Sequence, residues 1–343
     1  MGLDLLEQEA QRLYKFLGGI TRLNGEKYSL QDCKEIAPLT SQINELKKQK
    51  NVLILAHYYC PPEIVFGVSD VVGDSYGLSK KAAQASQDIL IFCGVSFMAQ
   101  TAKLVNPAKK VFLPPTYAGC SLAQSITAKE VEDLRKQYPK ARFVCYINST
   151  AEVKALCDVC VTSANVFDIV ASSPHEQIVF LPDIFMAQNI DAFLQSKGIN
   201  KQIIAAGGTC CVHDKYTLKD IEVIKQKYPQ AKIICHPECR KEVCQTADFC
   251  GSTSAMLKYV KESSADTFAV LSERGIIAVL EQENPAKTFL PTGRTCVQMK
   301  LNKLEDILKI LKDDSNIPEV KVEEKVAKQA LKAIEAMFKG AEK

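Results

Sequence analysis

The chain has 343 residues, 47% of them hydrophobic and 24% charged, with a net charge of +3. That length allows one large domain or two to three ordinary ones. The near balance of charge, with no basic block interleaved with aromatics, argues against a nucleic-acid or anionic-membrane partner. The start of the chain, with Asp4 and Glu7 among helix formers, lacks the basic and apolar regions of a secretory signal. No apolar run nears the roughly 20 residues that span a bilayer, so the expected location is the cytoplasm. There fourteen cysteines read as reduced thiols, not as a disulfide framework. Those inside apolar runs, such as Cys93, Cys145 and Cys235, read as small hydrophobes.

In chain order, residues 1–44 read as peripheral helix, and Leu46–Asn51 ends a helix that leads into a strand, Val52–His57. A polar turn, Gly73-Asp74-Ser75, opens the next helix, a second strand ends at Gly94, and a loop carries Cys120. From Ile126 the pattern returns: Thr127 with Glu130 makes a capping box, apolar residues follow at helical spacing, and the helix stops before Pro139. A strand then runs to Tyr146. Cys157 and Cys160 read as packing thiols one turn apart in a helix, Thr162-Ser163 as another polar turn, Asp183 as a strand end, and Cys210 as a loop residue. The third passage has Thr217 with Asp220, Pro229, a strand ending at His236, the turn Gly251-Ser252-Thr253, a strand ending at Glu273, and Cys296 in a loop. Residues from Leu301 read as helix, and 313–343 as a solvated periphery.

The pattern is a repeat of about 90 residues. Thr127 and Thr217, Tyr138 and Tyr228, Pro139 and Pro229, and Cys145 and Cys235 are each 90 apart. Strand ends at His57, Tyr146 and His236 keep the same phase, as do the sets Gly94, Asp183, Glu273 and Cys120, Cys210, Cys296. Strands alternating with helices make parallel sheets covered on both faces. The expected fold is therefore α/β: three homologous αβα sandwich domains with small parallel sheets, related by a pseudo-threefold axis around a central active site. The expected domains are 1–120 with the N-terminal helices, joined by C-terminal helices 301–343, then 121–210 and 211–300. Ligands of open α/β sheets sit beyond the carboxyl ends of the strands, where every phased series falls.

One thiolate per repeat at Cys120, Cys210 and Cys296 suits a [4Fe–4S] cluster with one iron lacking a protein ligand. Structural zinc prefers four closely spaced ligands. Cys211 is a substitute for Cys210 that breaks the phase, and the irregularly spaced Cys235, Cys239, Cys244 and Cys250 do not read as a zinc motif. The turns at Ser75, Thr162-Ser163 and Ser252-Thr253 open helices, where free N–H groups favour anions and hydroxyls serve as caps. Of four histidines, His57, His213 and His236 fall on the phase map, and His175 reads as surface. Glu238, beside Pro237, is the candidate for proton transfer; Tyr59 and Tyr146 can donate hydrogen bonds or shuttle a proton, and Asn148 suits a carboxylate or imine.

Together, His57-Tyr58-Tyr59, Gly73-Asp74-Ser75, Cys93 to Met98, Ala118 to Leu122, Tyr146 to Ser149, Asp158 to Asn165, Cys210 to His213, His236 to Cys239, Gly251 to Thr253 and Cys296 to Lys300 resemble the quinolinate synthase family, from about residue 45 to 312. The resemblance implies condensation of iminoaspartate with dihydroxyacetone phosphate to quinolinate, releasing phosphate and water, in NAD biosynthesis. It implies Cys120, Cys210 and Cys296 as cluster ligands and His57, Tyr146, Asn148, Thr162 and Ser163 as holders of the dicarboxylate. His213, His236, Ser252 and Thr253 would hold the triose phosphate or product, Glu238 and Tyr59 would move protons, and Ser75 would line the cavity. An aspartate-oxidising partner is implied by the substrate. Cys60, Ala187 and Gly207 depart from the family pattern, where Gln, Gly and Trp are usual, and bear on cavity shape. The alternatives are an iron–sulfur hydro-lyase on a hydroxy acid, a non-catalytic iron–sulfur redox sensor, and a zinc enzyme.

Overall fold

The computed structural model describes residues 3–22 and 24–340. Three four-stranded sheets account for its strands. The first holds β1 (Val52–His57), β2 (Val71–Gly73), β3 (Ile89–Cys93) and β4 (Lys110–Phe112), in the order β2-β1-β3-β4. The second holds β5 (Arg142–Tyr146), β6 (Val159–Val161), β7 (Gln177–Leu181) and β8 (Gln202–Ala205), in the order β6-β5-β7-β8. The third holds β9 (Lys232–Cys235), β10 (Phe249–Cys250), β11 (Thr267–Leu271) and β12 (Thr288–Leu290), in the order β10-β9-β11-β12. The described pairings of all three sheets are parallel, and the identical order makes the sequence repeat a repeat of topology. Central strands such as β3, β5, β7 and β11 are buried on both faces, as helices on either side of a parallel sheet require.

The chain packs as two compact units. One comprises the chain up to Ala118 with Glu273–Phe289 and Thr295–Lys321; the other comprises Gly119–Ser272, Leu290–Arg294 and the chain from Val322. In the first unit, helix Leu304–Lys312 lies on helix Leu30–Gln49. Helix Glu324–Gly340, which the sequence assigned with it to the first domain, packs instead on β6 and helix Ala151–Lys154 in the second unit.

Both predicted capping boxes form. Thr127 and Thr217 each accept the N3 backbone N–H while Glu130 and Asp220 reach back to the cap N–H. The helices then end at Tyr138 and Tyr228 with nearly the same dihedrals, φ −123° and ψ 64° against φ −137° and ψ 66°. Cys157 and Cys160 are not in a helix: Cys160 lies in β6, and Cys157 precedes it after the short helix Ala151–Lys154. Both are buried, so their packing role stands.

Each sheet also carries a clamp. Asp70 Oδ2 accepts the Ile54 N–H at 2.9 Å, Asp158 Oδ2 that of Phe143 at 2.7 Å, and Asp248 Oδ2 that of Ile233 at 2.9 Å. The N–H of each aspartate donates to the carbonyl of the same partner, at 2.8–2.9 Å. A cation bridges the other carboxylate oxygen: Lys47 at 2.8 Å, Arg135 at 2.7 Å and Lys232 at 2.8 Å. Each aspartate thus locks the entry of the second strand to the first and fixes where both strands end.

Asp248→Ala leaves the Ile233 N–H without its acceptor and is expected to cost about 1–2 kcal/mol, read as faster amide hydrogen exchange in β9. Burial pushes Asp248 up, but Lys232 and the Ile233 N–H outweigh it and hold the carboxyl below its usual value. A depressed folded-state pKa contributes stability above the unfolded value near pH 4 and loses it as pH falls through the folded one. The gap between Asp248→Ala and the parent chain should therefore be full at neutral pH and close in acid; a gap that widens in acid would contradict the assignment.

Candidate active site

Within the second unit, the loop after β8 and the loop after β9 bring Cys210, His213 and Glu238 together, their ligand atoms all within 4.8 Å of one another. His213 Nδ1 lies 2.8 Å from Glu238 Oε2 and 3.2 Å from Cys210 Sγ, and its Nε2 lies 3.1 Å from Ser272 Oγ. The His213 ring stacks on His236 at 4.9 Å. Asn148 Nδ2 donates to Glu238 Oε1 at 3.4 Å, and the Tyr146 hydroxyl bonds the same carboxylate. His213, His236 and Glu238 are all almost fully buried.

Burial pushes the Glu238 carboxyl up, but the charge and hydrogen bond of His213, with His236 and Tyr146, hold it well below the usual range. His213 carries most of this, and His236 Nδ1 lies 3.3 Å from the Glu238 backbone N–H. Asp183, N-cap of the helix Ile184–Ser196, moves the opposite way: burial and the Glu238 charge push it well above the carboxylate range. Its Oδ1 takes the Met186 N–H at 2.9 Å, while Oδ2 has no hydrogen-bond partner among the described residues. One ionised and one protonated carboxyl therefore sit within electrostatic reach of each other, the arrangement that separates base from acid.

The first unit holds a related group. His57, at the end of β1, accepts the Tyr59 N–H on Nδ1 at 3.1 Å, the same turn that His236 makes with Glu238. In both rings the neutral tautomer carries its proton on Nε2. Tyr59, Asn148 and Glu238 thus occupy equivalent positions, two residues beyond the end residues His57, Tyr146 and His236. The His57 and Tyr59 rings meet edge-on at 4.5 Å. The fully buried Glu273 accepts from Lys300 at 3.0 Å, from the Cys296 N–H at 3.0 Å and from the Gly275 N–H at 2.6 Å, and Lys300 also donates to the Tyr59 carbonyl at 2.6 Å. This ties the Cys296 loop to the His57 turn. Gly275 is required here, since a Cβ would lie 2.6 Å from the Tyr58 carbonyl oxygen and the Tyr59 Cα.

The three polar turns differ from the expected set of serine caps. Ser252 caps helix Thr253–Glu262, accepting the Ala255 N–H at 3.2 Å. At the first turn Asp74 is the cap, and Ser75 is the first helical residue. At the second, Thr162 donates its N–H to Asn165 Oδ1 at 2.7 Å and its hydroxyl accepts from Ala164, while Asn165 Nδ2 is buried without a partner among the described residues. Ser163 beside it is half-buried. Cys120 and Cys210 are half-buried in the second unit; burial pushes the Cys210 thiol well up, and Glu238 and Cys120 push the same way against N–H bonds from His213 and Val212. Cys211 and His175 are exposed.

Over residues 41–339 the sequence matches the family model described as Quinolinate synthetase A protein. This chain belongs to that family. It is 42% identical over 306 residues to a quinolinate synthase of Clostridioides difficile (strain 630), covering 89% of this chain and 98% of the relative. It is 44% identical over 302 residues to one from Clostridium acetobutylicum, covering 88% and 97%, and 42% identical over 312 residues to one from Aquifex aeolicus (strain VF5), covering 89% and 95%.

Among the departures from the family pattern, Gly207 has a backbone reason. Its φ is +114°, and a Cβ would lie 2.3 Å from the Pro182 carbonyl oxygen, so no larger residue fits this backbone. Cys60 is fully buried near Lys300, Glu273 and Cys296, its thiol pushed up to about 12 by burial. Sequence reasoning placed Asp183 and Glu273 at strand ends and Lys300 at the close of a family motif without giving them a role, and it passed over Ser272. The signal was available for the two acids: a carboxylate in the same phase as a strand end is a buried carboxylate.

A carboxylate held as low as Glu238 stays ionised through the usual Glu range. The acid limb of kcat/KM should therefore lie above about pH 5, where imidazoles titrate, and not near the ordinary Glu value of about 4.3. A limb at that lower value that vanishes in Glu238→Gln would contradict the low Glu238.

Proposed function

We propose that this chain condenses iminoaspartate with dihydroxyacetone phosphate to form quinolinate, releasing phosphate and water, in de novo NAD biosynthesis. The observation that carries the reading is the Cys210–His213–Glu238 group, its histidine and carboxylate buried, in a chain of this family. We assign it to the cytoplasm, with iminoaspartate supplied by an aspartate-oxidising enzyme, and treat 1–120, 121–210 and 211–300 as its functional domains.

In this reading Cys120, Cys210 and Cys296 hold a [4Fe–4S] cluster. Support comes from their shared position after the fourth strand of each sheet and from the backbone N–H groups of Val212 and His213 bonded to the Cys210 sulfur. When bound, a cluster with one iron lacking a protein ligand supplies a Lewis acid for departure of a hydroxyl as water. The dicarboxylate falls to His57, Tyr146, Asn148, Thr162 and Ser163, where the orphaned Asn165 amide adds a buried donor. The phosphate or product carboxylates fall to His213, His236, Ser252 and Thr253, the last two opening a ten-residue helix whose N–H groups favour anions. Glu238 acts through His213: the carboxylate fixes the ring's Nδ1 proton and stabilises the imidazolium formed when Nε2 takes a proton. Tyr59 supplies a second hydroxyl for proton transfer, with His57 beside it, and Ser75 completes the lining.

Chain reconstituted with iron and sulfide under anaerobic conditions should form quinolinate from oxaloacetate, ammonia and dihydroxyacetone phosphate; absence of product overturns the reading. Glu238→Gln should lower kcat by about 10²–10⁴ with iron content unchanged. Ser at any one of Cys120, Cys210 or Cys296 should abolish both iron binding and turnover.

A further inference from the structure

The second and third sheets differ at the position occupied by Lys154 in one and Cys244 in the other. In the second, Cys145 and Cys160 are register partners on β5 and β6, their sulfurs 3.2 Å apart. The fully buried Lys154 lies beside them with its ammonium donated to the Ser149 carbonyl. In the third, Cys235 and Cys250 are the corresponding partners on β9 and β10. The residue equivalent to Lys154 is Cys244, whose sulfur lies 3.5 Å from the carbonyl of Cys239, itself the equivalent of Ser149. A third sulfur thus replaces a cation, and the sulfurs of Cys235, Cys244 and Cys250 all lie within 4.8 Å of one another.

We propose that Cys235, Cys244 and Cys250 bind a thiophilic divalent ion, Zn²⁺, with Cys239 as the fourth ligand, and that this ion takes the place the Lys154 ammonium holds in the second sheet. Zn–S bonds of about 2.3 Å at tetrahedral angles separate sulfurs by about 3.8 Å, so adjustments of about an ångström bring Cys235, Cys244 and Cys250 into range, and Cys239, whose sulfur lies 3.5 Å from the Leu271 carbonyl, turns from that carbonyl to complete the site. Cys239 is fully buried in the same cluster as Cys235. Asn189 Nδ2 donates to Cys244 Sγ at 3.3 Å, while also donating to the carbonyls of Pro237 and Cys239 at 2.8 and 2.9 Å. An N–H aimed at sulfur is the outer-shell contact that steadies a metal thiolate. Cys244 and Cys250 are half-buried, which leaves the ion a way in. The metal would staple the loop that carries His236 and Glu238, and the proposal does not depend on the reaction assigned to that loop.

The test is zinc and iron analysis of the full-length, iron-reconstituted chain after equilibration with Zn²⁺ under reducing, anaerobic conditions. One zinc per chain beyond the iron is expected. Cys244→Lys, which restores the second sheet's arrangement, should lose that zinc, keep the iron, and show a Tm indifferent to a zinc chelator. Should the variant not fold, Zn²⁺ must protect Cys244 and Cys250 of the parent chain from alkylation, mapped by mass spectrometry. A parent chain that retains no zinc, zinc that survives in a folded Cys244→Lys, or thiols that alkylate equally with and without Zn²⁺ overturns the proposal.

Discussion

The aspartate clamp at the start of each second strand is the constraint on which the rest of the structure depends. Asp70, Asp158 and Asp248 each close a two-hydrogen-bond ring with the backbone of the first strand, and each is neutralised by a cation. Parallel strands have no hairpin to fix their register, so register must come from packing or from bonds of this kind. Once it is fixed, the ends of β1, β5 and β9 have no freedom to slide, and His57 and Tyr146, which close β1 and β5, and His236, the residue after β9, emerge at set depths. A one-residue slip would turn each of them to the opposite face.

What could be read in the sequence follows the range of the interactions involved. The capping boxes at Thr127 and Thr217 are contacts between residues three apart, and they form as read. The repeat phase located strand ends because each repeat supplies an independent estimate of the same position. The helix assigned to Cys157–Cys160 failed because a Cys-x-x-Cys spacing fits a helical turn as well as a turn entering a three-residue strand, and only pairing with β5 decides. The destination of helix Glu324–Gly340 was equally illegible: its apolar stripe states that it packs, not on what. Gly207 was read as a change in cavity shape, whereas its backbone angle leaves no room for a side chain.

The electrostatics of the site come from one imidazole facing one carboxylate in a dry environment. Burial alone would protonate Glu238; His213 at 2.8 Å reverses that, and Asp183, lacking such a partner, follows burial instead. Ser272 Oγ lies 3.1 Å from the far nitrogen of His213, so the ring is oriented from both sides before any substrate arrives. In the first unit the corresponding acid, Glu273, is given to structure: it binds Lys300 and two backbone N–H groups, steadying the turn that presents His57 and Tyr59. Equivalent carboxyls thus divide into one near the proton-transfer group and one that holds the backbone.

This division explains why a repeated fold suits chemistry with several anionic groups. Each copy offers the same exits from the sheet, so a mutation in one copy can change a side chain there without disturbing the other two. At equivalent positions after the first strand the three copies carry Tyr59, Asn148 and Glu238: a hydroxyl, an amide and a carboxylate, the first and third on turns closed by the same backbone-to-imidazole bond. A single-copy sheet would need three separate loops to reach that variety, each bearing its own ordering entropy. Here the order is supplied by the clamps that every copy retains, and the variation falls where the backbone is already held.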